Sequence, residues 1–206
     1  MTTGGVINQR EADALLVERV KQGDQRAFAL LVAKYERRVQ RLLSRLVRDS
    51  AEIEDITQEA FIKAYRALPQ FRGESAFYTW LYRIAINTAK NYLATKSRRP
   101  VTVGEFQGAD DGEFFDLGDV VEDNNTPDAV LHSRQVAEAV NAAIEALPED
   151  LKAAITLREI EGLSYEEIAQ AMDCPIGTVR SRIFRAREAI AQRLRPLLGT
   201  KEDERW

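Results

Sequence analysis

The residues best able to do chemistry in this chain fall in two runs. The first, Phe77-Tyr78-Thr79-Trp80-Leu81-Tyr82-Arg83-Ile84-Ala85-Ile86-Asn87-Thr88-Ala89-Lys90, is dense in aromatics and ends basic. At helical spacing Phe77, Leu81, Ile84, Ala85, Thr88 and Tyr92 share a face that should be core. Thr79, Arg83, Asn87 and Lys90 project from the other side, with Trp80 and Ile86 on its edges. Bases that have left a duplex are held by stacking and by polar contacts to their edges. An aromatic, arginine and asparagine row beside a loop containing Gly73 supplies those parts. The other reading of the same residues is an aromatic core, which on composition alone is the simpler one.

The second run, Leu163 to Arg187, is more specific. Ser164-Tyr165-Glu166-Glu167 fits a capping box, with the serine oxygen meeting the Glu167 amide and the Glu167 carboxylate returning the bond. A short helix through Ile168, Ala169 and Met172 follows, and Asp173-Cys174-Pro175 turns the chain, with Pro175 suited to a first helical position. Two short helices with such a turn describe a DNA-reading helix-turn-helix. In the second helix Ile176, Val179, Ile183, Ala186 and Ile190 gather on one buried face, so Ser181, Phe184 and Arg185 point away from it, flanked by Thr178 and Arg180. An outward aromatic among arginines has no core to fill, but it can meet a thymine methyl or a base edge. Residues 149–173 carry two bases against seven acids, whereas residues 174–199 carry six arginines against Glu188 alone. Thr178 and the backbone amides at that helix start suit a phosphate, and Arg180 or Arg185 can bridge a guanine edge.

Asp55, Glu59 and Ile62 fall at i, i+4 and i+7 with Gln58 alongside, either a solvated acidic face or a dock for a basic partner helix. One cysteine, Cys174, and one histidine, His132, make an internal disulfide impossible and a structural zinc site improbable. No nucleophile or metal–carboxylate constellation suggests catalysis, so neither a catalytic residue nor a cofactor is expected. The first twenty residues lack an apolar signal-peptide core, and no run approaches the roughly 20 apolar residues of a membrane span. A cytoplasmic, soluble protein without membrane insertion is expected.

The elements that must position these runs are helices. Of 206 residues 45% are hydrophobic and 30% charged, and glycine and proline number only 11 and 6. Gly23-Asp24 ends a first helix and caps a second bearing Phe28, Leu31, Tyr35, Val39, Leu42 and Leu46; a third spans about 51–67, before Pro69; the aromatic fourth starts near Ala76. From Glu105 to Asp128 there are nine acids and no Lys or Arg, which reads as a flexible linker. Pro127 then opens a helical block with Val136, Val140, Ala143, Ile144 and Leu147 on one stripe, followed by a helix from Leu151 to Ile160 closed by Gly162. The expected fold is all-α: two small helical domains, residues 1–97 and 129–206, joined by an acidic linker at 98–128, the second domain a four-helix helix-turn-helix unit. Two rivals are a dimeric operator-binding regulator with a ligand-sensing first domain, which shows no obvious sensor pocket, and a nucleic-acid enzyme.

Together, Asp55-Ile56-Thr57-Gln58-Glu59-Ala60-Phe61-Ile62-Lys63-Ala64-Tyr65-Arg66, the stretch from Phe71-Arg72-Gly73 to Asn91, and Leu147-Pro148-Glu149-Asp150-Leu151 through Arg187 resemble RNA polymerase sigma factors of the extracytoplasmic-function family, sigma-E type. The resemblance implies a transcription initiation factor that brings core RNA polymerase to stress-response promoters. Its first domain would bind and open the −10 element as single-stranded non-template DNA; its second would read duplex at the −35 element. Asp55, Gln58 and Glu59 match the face that grips the polymerase clamp, and Thr57 stands where an aliphatic residue is usual. Asn87 and the Phe71–Ala76 loop, including Arg72 and Ser75, match the pocket for a flipped base, with Lys63, Trp80, Arg83 and Lys90 nearby. Gly177, Thr178, Arg180, Ser181, Phe184, Arg185 and Arg187 match the −35 readers. The linker would cross the polymerase's positively charged interior, and a membrane-anchored anti-sigma factor would restrain the protein. The tail from Lys201 to Trp206 has no family counterpart.

Overall fold

Side-chain oxygens just ahead of four helices decide where those helices begin. Asn8 opens α1 (Gln9–Lys21) with a capping box completed by Glu11. The Asp24 carboxylate accepts from the amides of Arg26 and Ala27 at 2.9 and 3.2 Å and opens α2 (Gln25–Ser44). Asp49 does the same for α3 (Ser50–Ala67), and Ser164 opens α7 (Tyr165–Met172). Each such cap is worth about 1 kcal/mol. The remaining helices are α4 (Phe77–Arg98), α5 (Pro127–Glu145), α6 (Glu149–Ile155) and α8 (Ile176–Leu198). The computed structural model describes residues 8–98 and 127–198, so most of the expected linker and the C-terminal tail lie outside the described residues. Among these no strand occurs.

Helices α1 to α4 make the first domain. Leu31, Tyr35, Val39 and Leu42 are fully buried on α2, as their spacing predicted, while Phe28 and Leu46 are half-buried. Asp13, 1% exposed, ties α1 to α2 by taking the Lys34 ammonium at 2.5 Å and the Tyr35 hydroxyl. Helix α4 packs against α3 and α2 and, across the domain boundary, against α7. In the second domain α5, α6 and α7 all lean on α8. A single cluster of buried apolar side chains runs from Val17 through Leu81 and Ile86 to Leu157, Ile168 and Ala186, so the two domains share one continuous interior.

Two local features depart from the sequence reading. The helix expected over Leu151 to Ile160 is α-helical only to Ile155 and continues as a π-helical turn from Thr156 to Ile160, closed by the Glu161 amide on the Thr156 carbonyl at 3.2 Å. Gly162 follows at φ +69°, where a β-carbon would strain the backbone. On α4, Thr79 and Ile86, expected on the outward side and its edge, are 0% and 1% exposed. The physical reason is α7: it covers a flank of α4 that an isolated domain would leave to water.

Candidate nucleic-acid interface

On the first domain, Gly73 at φ +75° turns the loop after the short 3₁₀ turn Leu68–Gln70 and lets it fold back on α4. Phe71, at the loop's start, lays its ring against Trp80 with centroids 4.8 Å apart, and Phe77 closes the trio at 5.8 Å from Trp80. Beside them lies a cleft of about 380 Å³ lined by Phe71, Arg72, Ser75, Trp80, Arg83 and, from the other domain, Gln170. Arg83 and Asn87 are exposed one turn apart on the same face. Aromatic, guanidinium and carboxamide groups thus converge at one opening, the set that stacks and reads an extruded base.

Other residues expected there stand differently. Ala76 is 6% exposed and turns its methyl inward. The Lys63 ammonium holds Glu59 at 2.7 Å and meets the Thr88 hydroxyl at 3.4 Å. Lys90 is paired with Asp150 of the second domain at 2.8 Å.

On the second domain the capping box forms as its residues dictate, with Ser164 accepting from the Glu167 amide at 3.2 Å and Glu167 from the Ser164 amide at 2.9 Å. Asp173 takes the turn at φ 51°, in the left-handed region. Helix α8 begins at Ile176, one residue later than Pro175 suggested, because the Pro175 carbonyl accepts from the Thr178 amide at 2.9 Å as a cap would. Val179, Ile183 and Ala186 are buried beneath α8, and Ile176 and Ile190 half-buried. The opposite face presents Arg180, Ser181, Phe184 and Arg185, and Phe184 is 67% exposed. Gly177 faces open space, where a phosphate can approach the backbone. Arg187 is held by Glu159 at 2.6 Å. Arg182 turns inward instead, to Asp150 at 2.6 Å and the Cys174 sulfur at 3.3 Å.

On α3, Asp55, Gln58 and Glu59 are exposed in a row that continues into Ile62, 51% exposed. Thr57 is not part of that row: it is buried, and its hydroxyl donates to the Ile53 carbonyl at 2.7 Å.

Sequence reasoning missed a set of groups where the domains meet. The Tyr82 hydroxyl donates to Glu161 Oε2 at 2.6 Å, and Arg38 Nε lies 3.5 Å from the same oxygen. The Glu161 side chain is 1% exposed, and its other oxygen is buried without a hydrogen-bond partner. Tyr78 donates to Glu167, and Arg45 donates to Asn141 at 3.2 Å. Burial and the Glu167 bond push the Tyr78 phenol up to about 12, and burial with Glu161 raises that of Tyr82 further. Burial alone would raise the Glu167 carboxyl, but the bonds from Tyr78 and Ser164 outweigh it and hold it below its usual value. The Lys90 ammonium holds Asp150 low as well, with Arg182 assisting. The one signal in the sequence was the acid excess over residues 149–173, whose partners lie too far along the chain for any spacing rule to find.

Comparison with known proteins agrees with this geometry. Sigma-70 region 2 matches residues 31–99, and sigma-70 region 4 matches residues 137–190. The RNA polymerase sigma-H factor of Pseudomonas aeruginosa is 56% identical over 189 residues, covering 92% of this chain and 97% of its own. The ECF RNA polymerase sigma-E factor of Escherichia coli is 55% identical over 192 residues, covering 93% and 99%. Among solved structures, CnrH in complex with the cytosolic domain of CnrY aligns over 90% of this chain and 98% of that one, with a TM-score of 0.63 and 24% identity, a likeness of fold.

Proposed function

Because this chain belongs to the extracytoplasmic-function RNA polymerase sigma factors, we propose that it directs core polymerase to promoters by reading two DNA elements with two separate surfaces. The observation that carries this is the pairing of an aromatic cleft flanked by exposed Arg83 and Asn87 with a helix-turn-helix whose outward face bears Phe184 among arginines. The first surface takes the melted non-template strand of the −10 element. Flipping a base costs a few kcal/mol, which stacking beside Trp80 and edge contacts from Asn87, at roughly 1–3 kcal/mol each, offset. Only a short, well-matched element is opened on such a balance.

The second surface reads the −35 duplex. Arg180 and Arg185 address guanine edges, Phe184 a thymine methyl, and Thr178 with the backbone near Gly177 a phosphate. Asp55, Gln58 and Glu59 grip the polymerase clamp through α3. No helix among the described residues is long and apolar enough to cross a membrane. The protein acts in the cytoplasm, and a membrane-anchored anti-sigma factor restrains it until stress releases it.

Run-off transcription with core polymerase and a sigma-E-type promoter tests this reading. Asn87→Ala should reduce promoter opening while core binding persists. Equal loss of both would refute the division of roles.

A further inference from the structure

Arg182 stands in the middle of the proposed −35 reading face yet turns away from it. Its neighbours Arg180, Ser181, Phe184 and Arg185 are exposed, while the Arg182 side chain is only 20% exposed. One guanidinium nitrogen donates to Asp150 Oδ2 at 2.6 Å, and another to the Cys174 sulfur at 3.3 Å. Asp150 belongs to the first turn of α6, and Cys174 to the turn between α7 and α8. One planar group thus fastens α8 to two other parts of its own domain. We propose that Arg182 is a positioning residue for promoter discrimination: it holds α8 at the rotation in which the outward side chains meet base edges, without touching DNA itself. This role rests on the −35 reading and deepens it.

The need for such a fastening follows from how α8 is otherwise held. Val179, Ile183 and Ala186 are buried beneath it, and apolar burial is non-directional. That stripe chooses the face of the helix but tolerates small rotations. With its side chains a helix is about 10–12 Å across, so a rotation of about 20° carries a side-chain tip about 2 Å along its arc. Hydrogen bonds to a base edge are confined to about 2.7–3.2 Å and weaken steeply when misaligned. A rotation that the core barely registers therefore disconnects Arg180, Ser181 and Arg185 from their bases. Arg182 opposes it, because its two partners lie on different segments and a guanidinium fork has fixed geometry. It adjoins Ser181 and lies less than one helical turn from Arg185, so little helix is left to flex between the fastening and the readers.

The same pair contributes little to overall stability. Asp150 is 44% exposed, and ion pairs open to solvent add little to a fold. Base discrimination and stability are thus separable at Arg182, as they would not be at a core residue.

The test uses the full chain assembled with core polymerase and two labelled duplexes, one carrying a sigma-E-type −35 element and one with that element scrambled. Fluorescence anisotropy gives the ratio of the two dissociation constants across a salt series, and a melting curve of the free chain gives stability. Arg182→Gln should lower the ratio about tenfold, the scale of one lost base-edge pair. Affinity for the scrambled duplex, the salt slope and the melting temperature should hold. Arg182→Lys, which keeps the charge without the fork, should recover part of the ratio. Asp150→Asn should lower the ratio too, and joining it to Arg182→Gln should add no further loss. An unchanged ratio in Arg182→Gln, or additive losses in the double variant, would overturn this role. So would equal weakening on both duplexes with a salt slope smaller by about one, the mark of a direct phosphate contact. Should Arg182→Gln lose its helical circular dichroism, Arg182→Lys and Asp150→Asn carry the same test. A wild-type ratio of one would refute the −35 reading itself, and the positioning role with it.

Discussion

A side chain's worth to this protein depends on which way it points, and Phe184 shows this most directly. It is one of the few large apolar residues left in water, at 67% exposed, on a helix whose Val179, Ile183 and Ala186 are buried. Truncating it removes almost no packing, so Phe184→Ala should leave the thermal stability within about 0.5 kcal/mol of wild type. Binding to −35 duplex should weaken by roughly 1–3 kcal/mol if the ring meets a base. A melting curve and a gel-shift titration check the two halves separately. Phe184 was legible in the sequence because the Val179, Ile183 and Ala186 stripe fixes the helix's rotation, and rotation is a local property. Thr79 was not, since its burial depends on α7, reached only through the tertiary fold.

Among the elements, the helix-turn-helix places its strain at one residue. Asp173 holds φ 51° at the end of α7, a conformation glycine adopts without steric cost. Asp173→Gly should relieve that strain, offset in part by the entropy of the unfolded chain, for a net gain of a few tenths of a kcal/mol, about 0.3–0.5. Chemical denaturation reads that gain. Gly162→Ala, at φ +69°, should run the other way and cost about 1 kcal/mol or more. The capping signals at Asp24 and Ser164 made the helix starts readable, because a cap and its amides are three residues apart. The π-helical turn was unreadable. Its residues carry the same apolar spacing as an ordinary helix.

The whole molecule brings titratable groups together where the two domains meet, and their shifts set a pH window for that closed contact. Asp150 and Glu167 titrate below their ordinary values of 3.8 and 4.5 in the closed form. A depressed carboxyl contributes closure energy above its open-state value and loses it as pH falls through the closed-state one. Tyr78 and Tyr82 titrate above their ordinary 10.0. A raised phenol contributes fully below 10.0 and loses its contribution as pH climbs through its closed-state value, about 12 for Tyr78. Closure should accordingly be flat across neutral pH and weaken at both extremes. Scattering across a pH series checks the shape, and phenolate absorbance checks the alkaline limb.

The sequence by itself determined the helical class, the two-domain layout, the helix-turn-helix and the outward faces of α3 and α8. These follow from periodicity, capping and turn chemistry, interactions between residues a few positions apart. Only the tertiary structure decided that α7 lies on α4, that Lys90 is spent on Asp150, and that Glu161 is buried beside Tyr82 and Arg38. Those pairs join residues 60 to 123 positions apart. No local rule selects one acid from seven for a given tyrosine; desolvation and geometry at the closed boundary do.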